Sequence, residues 1–204
     1  MTLFPFLAEE FIGEPEARAI TRPYWSDLTA IWQSSWEAWK RIDERDRARL
    51  AETPWAPPVT VNAFAQSFAR ERFLGREDEG LEECTVIPNV FAFYATPRVL
   101  LRFNNLSKDF VVRNTDSSDL KDAYFRQEPI PGINSGATRL TVGYVLNEAK
   151  TEIGCVAISL QYAEARVYYF LIDKSDEGAL PIPAATVPPI SMPPIESLQK
   201  KRPR

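Results

Sequence analysis

Hydrophobic residues change their spacing partway along this chain. Between Leu28 and Ile42 they recur every three or four positions, as Leu28, Ile31, Trp32, Trp36, Trp39 and Ile42, with the small Ser35 on the same stripe. That period belongs to a helix with one buried face. Ser26 and Asp27 supply an N-cap and a first-turn acid, so one long helix is predicted from there to about Ala51. Pro54, Pro57 and Pro58 are read as the spacer that stops it. A second helix, from Thr60 or Asn62 to Leu74, carries Val61, Phe64, Ala65, Phe68 and Phe73 inward, and Gly75 stands where a left-handed C′ residue is expected.

From Val99 the spacing drops to two. Val99, Leu101 and Phe103 alternate with Arg98, Leu100 and Arg102, and Val111 and Val112 suggest a short return strand. A short helix over Asp119 to Gln127, with Leu120 and Tyr124 inward, precedes three runs of β-branched and aromatic residues between 138 and 173. The pattern predicts an α+β fold: an antiparallel sheet ending in a three-stranded meander, packed on one face by the N-terminal helices. The boundaries follow as one domain over 1–179, with a helical part near 24–76 and a sheet part near 84–173, and a Pro-rich extended tail over 180–204.

Alternation also assigns the faces of the sheet. One collects Leu140, Val142, Tyr144, Val156, Ile158, Leu160, Val167, Tyr169 and Leu171 and belongs against the helices. The other collects Arg98, Arg102, Arg139, Thr141, Cys155, Ser159, Gln161, Arg166, Tyr168 and Phe170. Such a face is either an ordinary solvated one or a recognition surface, because a guanidinium fork suits carboxylates and phosphates and tyrosine offers a stiff, flat contact. Arg98, Arg102, Arg139, Arg166 and Tyr168 are its candidate binding residues. The three tryptophans likewise read either as core or as an exposed aromatic anchor.

The tail reads LPIPAATVPPISMPPIESLQKKRPR, and proline excludes both a regular helix and a central strand there. Its apolar residues, among them Val187, Ile190, Met192 and Ile195, suit a strap on its own domain or a segment that inserts into a partner.

Composition then narrows the chemistry. The chain has 204 residues, a formal charge of −4 and no histidine, which removes the usual general base, zinc ligand and nucleophile partner together. Net acidity disfavours non-specific nucleic-acid binding. Gly132 and Gly136 are too widely set for a phosphate loop, and the acidic run 76–83 lacks the ligand spacing of a calcium loop. No cofactor and no metal is called for. Cys84 and Cys155 read as reduced thiols, and the first residues lack a basic n-region, so a cytoplasmic protein with no membrane span is expected.

Two functions follow. The first is a non-catalytic protein-binding or regulatory factor, such as an antitoxin, an immunity protein or a phage or bacterial accessory protein. The second is a histidine-independent ribonuclease-like enzyme in which Arg102, Arg139, Arg166, Tyr168 and Glu148 hold phosphate and move protons, with RNA contacted through the arginine-rich face.

Overall fold

Helical periodicity falls on α1 (Glu14–Thr21), α2 (Trp25–Lys40), α3 (Glu44–Ala51) and α4 (Ala56–Phe73). The alternation falls on β1 (Glu82–Cys84), β2 (Ala92–Thr96), β3 (Val99–Phe103), β4 (Thr138–Leu146), β5 (Ile153–Tyr162) and β6 (Ala165–Leu171), with α5 (Asp119–Phe125) between β3 and β4. This computed structural model describes residues 11–53, 56–76, 81–84, 91–112 and 119–172, all within the unit Met1–Lys174. The tail, with Val187, Ile190, Met192 and Ile195, lies outside the described residues.

The expected single long helix is two. The apolar stripe ends at Ile42, and the Asp43 carboxylate accepts the Arg45 N–H at 3.0 Å, capping α3; a side chain that bonds nearby amides favours a cap over a helix interior. Pro57 and Pro58 are not a spacer but part of the first turn of α4, where a missing N–H leaves no bond unmade. Pro15 plays the same part in α1, which the sequence pattern did not reveal and which opens with Glu14 and Glu16. Gly75 adopts φ 80°, as its C′ position requires.

The sheet has six strands in sequence order. It is mixed rather than antiparallel, because β3 and β4 run parallel, with Leu101 opposite Leu140. A parallel neighbour needs a crossover connection, and residues 104–137 supply it. β4, β5 and β6 form the expected antiparallel meander.

Helices cover one face. Trp32, Trp36 and Trp39 are 0%, 6% and 6% exposed and belong to a core with Phe93, Phe103, Leu140, Val142, Tyr144, Ile158 and Phe170. The Trp32 ring stands 5.0 Å from Tyr144 and 5.9 Å from Phe103. The tryptophans are therefore core and not an anchor. A second apolar cluster forms on the opposite face, where Leu106, Val112, Tyr124, Phe125, Ile130 and Ile133 of the crossover meet Cys84, Ala92, Leu100 and Ala157. Sheet and crossover approach closely at Gly143, where a β-carbon would stand 2.0 Å from the Asn104 carbonyl oxygen.

Candidate functional site

The face assigned to arginine and hydroxyl side chains is internal. Arg102, Arg139, Thr141, Ser159 and Gln161 are 7%, 3%, 3%, 1% and 5% exposed. An irregular segment buried on a sheet brings backbone groups with no ladder to join, and each needs a partner. The polar side chains supply it. Ser159 donates to Phe110 O at 2.6 Å, and the Gln161 amide accepts from Val112 N at 2.9 Å and donates to Val112 O at 3.3 Å. Arg139 donates through Nη1 to Ala123 O at 2.9 Å and through Nη2 to Glu128 O at 2.6 Å.

Gln127 completes the fastening. Pairing of β4 with β5 starts at Thr141 and Ser159, which leaves the Arg139 backbone unserved on that side. The Gln127 side chain takes the place of a strand there, accepting from Arg139 N at 2.9 Å and donating to Arg139 O at 3.0 Å.

Arg102 differs from its neighbours. Its guanidinium packs over Tyr124 at 5.4 Å and Phe125 at 5.2 Å, and its Nη1 is buried without a hydrogen-bond partner. Arg139 shares the Tyr124 ring at 5.7 Å and leaves Nε unpartnered. Burial lowers the pKa of both guanidinium groups, although arginine stays charged across the usual pH range. Burial likewise pushes the Tyr124 phenol well above its ordinary range, against the pull of Arg102 and Arg139; its hydroxyl donates to Leu140 O at 3.3 Å. Burial also raises Tyr94, against the opposing pull of the Asn134 N–H that its hydroxyl accepts at 3.1 Å.

The remaining sequence-predicted residues are dispersed. Arg98 occupies the turn between β2 and β3, exposed, and pairs with Glu16 of α1. Tyr168 lies on the helix-covered side, not beside Arg166. The register of β5 with β6 shifts between Leu160 and Gln161, which face Tyr168 and Arg166 respectively, so Val167 is an extra residue and parity inverts. Tyr168 and Phe170 consequently turn toward the helices, while Tyr169 and Leu171 turn toward the crossover, opposite to the assignment from alternation. The Tyr168 hydroxyl donates to Ile12 O at 3.1 Å, and burial, followed by Glu14 and Glu16, raises its pKa strongly. Arg166 donates to Asp109 O at 2.9 Å and covers the Tyr169 ring at 4.6 Å; that ring stacks on Phe110 at 4.0 Å. Glu148 is exposed in the turn between β4 and β5, away from the arginines of the internal face. Cys84 and Cys155 are not joined to each other in a disulfide.

The structure thus brings Arg102 and Arg139 together under Tyr124 and Phe125, with Ser159 and Gln161 on the same face, and separates Arg98 and Tyr168 from them. Sequence reasoning missed Phe125 and Gln127. The available signal was the apolar content of 104–137, where Leu106, Val111, Val112, Ile130 and Ile133 are too many for a loop facing water.

One outer edge of the sheet is open among the described residues. Ile172 N donates to Val156 O at 3.0 Å, so Ile172, Phe170 and Tyr168 point their backbone groups at β5 while Tyr169 and Leu171 point theirs outward. No helix among the described residues is long and apolar enough to cross a membrane. No family model, curated protein or solved structure matches the chain.

Proposed function

We propose that this protein is a non-catalytic binding factor, of the regulatory or neutralising kind represented by antitoxins and immunity proteins, and that it docks an extended segment of a partner protein along β6. The observation that carries this reading is the outward row of Tyr169 and Leu171 backbone groups on a strand, ARVYYFL, that holds no proline and no lysine. Such residues commonly blunt exposed edges, and an unblunted edge is a template for strand addition. Arg166 flanks the row on the crossover side, so a partner segment with an acidic residue on that side fits it best.

The ribonuclease-like reading is less well supported. It needs arginines and a phenol open to substrate, whereas Arg102 and Arg139 are buried and Tyr168 faces α1. Localisation in the cytoplasm remains part of the proposal.

Leu171→Pro tests the docking. Its outward N–H makes no bond to β5, so proline removes a docking donor while the β5 ladder persists, and Leu171→Ala keeps the donor as a control. After co-purification with the native partner, identified by mass spectrometry, Leu171→Pro is expected to weaken binding about tenfold, the loss of one backbone bond, and Leu171→Ala to retain it. Equal binding by both variants would sink the edge-docking reading. Cleavage of RNA that Arg166→Ala abolishes would instead establish the enzyme.

A further inference from the structure

We infer that Arg102 and Arg139 form an internal receptor for a phosphate group, with Arg102 making the direct contact. Arg102 is 7% exposed and has no hydrogen bond and no ion pair among the described residues. Only its Nη1 is both sealed and unpartnered. Nε and Nη2 make no hydrogen bond among the described residues either, and they form the side-on edge through which a guanidinium grips an oxyanion with two parallel bonds. The guanidinium carbon lies over the Tyr124 and Phe125 rings, which hold the group in place.

Charge selects the ligand. Arg139 adds a second buried cation on the same Tyr124 ring. Among the described carboxylates Glu128 acts on Arg139 and none acts on Arg102. Glu128 itself is half exposed and lies 3.8 Å from Arg126. Two buried positive charges that only Glu128 offsets among the described residues are unfavourable. Contacts with aromatic faces return only about 1–2 kcal/mol each. A doubly charged oxyanion interacts with both cations at once, where a single carboxylate would offset Arg102 alone.

The test uses the full chain and inorganic phosphate, against chloride of matched ionic strength. Calorimetric titration is expected to show saturable one-to-one binding, accompanied by a rise in the thermal midpoint. Arg102→Met, close in shape but uncharged, should melt no lower than the parent without phosphate, because an unpaired buried charge has gone, and should lose the phosphate response. Arg102→Lys keeps the charge without the fork and should bind at least about tenfold more weakly. In the parent chain, the Arg102 Nε–H nuclear magnetic resonance signal should move on titration, which reports the contact even if a variant misfolds. Phenyl phosphate separates the sources: binding as tight as the free ion marks the terminus of a larger molecule, and its failure beside successful inorganic phosphate marks the free ion. No saturable binding, an unmoved Arg102 signal, or equally tight binding of acetate would overturn the inference. Leu171→Pro should leave phosphate binding intact, so this site and the β6 docking edge can fail separately.

Discussion

Gly143→Ala probes the contact that makes the second layer of this fold. Gly143 lies within β4 on the face toward the crossover, where the chain leaving β3 stays beside β4 through bonds from Asn104 N to Val142 O at 3.1 Å and from Leu106 N to Tyr144 O at 3.0 Å. An alanine β-carbon would stand 2.0 Å from Asn104 O, 2.9 Å from Leu106 Cγ and 3.2 Å from the Asn104 carbonyl carbon. An unstrained contact needs about 3.5 Å, so the backbone must retreat by about 1.5 Å. That movement stretches both hydrogen bonds beyond useful length, at about 1 kcal/mol each, and overpacking adds about 1–3 kcal/mol. The expected loss is about 3–5 kcal/mol, a large share of the roughly 5–15 kcal/mol that holds a typical domain. Urea unfolding followed by tryptophan fluorescence should show the midpoint falling by about 1–2.5 M for a slope of about 2–3 kcal/mol/M. Gly136→Ala is the control, since its nearest contact would be 3.6 Å and its backbone is not left-handed. Hydrogen exchange should report lost protection at Asn104 and Leu106. A loss below about 1 kcal/mol for Gly143→Ala would refute the close approach as a determinant of the layer.

Two further outcomes follow from the buried polar groups. Gln127→Ala should cost about 2 kcal/mol in chemical unfolding, because the Arg139 backbone N–H and C=O lose both partners inside the layer. Stability should also decline in alkali. Burial raises Tyr124, Tyr144 and Tyr168 above the ordinary phenol value, so above about pH 10 the unfolded chain releases protons that the native chain retains. The contribution is complete below that pH and is lost above it at about 1.4 kcal/mol per pH unit for each phenol. Urea midpoints on either side of about pH 10 check this, and phenolate absorbance appearing before unfolding that Tyr124→Phe, Tyr144→Phe or Tyr168→Phe removes would contradict it.

Much of the architecture was legible because it rests on periodicity. The stripe through Trp32, Trp36 and Trp39, the αL glycine after α4, the meander of β4 to β6 and the inward set Leu140, Val142, Tyr144, Val156, Ile158 and Leu160 all follow from side-chain period alone. Local breaks were less visible. Pro15, Pro57 and Pro58 begin helices here, and the same residue equally well ends them; the choice depends on what the preceding chain packs against. A bulge in β6 inverted Tyr168 and Tyr169, since one inserted residue moves every later side chain to the other face.

By itself, then, the order of residues determined most of the helix and strand segments, the helix-facing set of β4 and β5, and that Arg102, Arg139, Ser159 and Gln161 share the opposite face. Only tertiary structure decided whether water or protein covers that face. Arginines and glutamines along a strand satisfy solvent and stranded carbonyls equally well, and the distinction arises from a distant cause: β4 pairs parallel to β3, which obliges residues 104–137 to cross the sheet and bring their unpaired backbone groups onto those side chains.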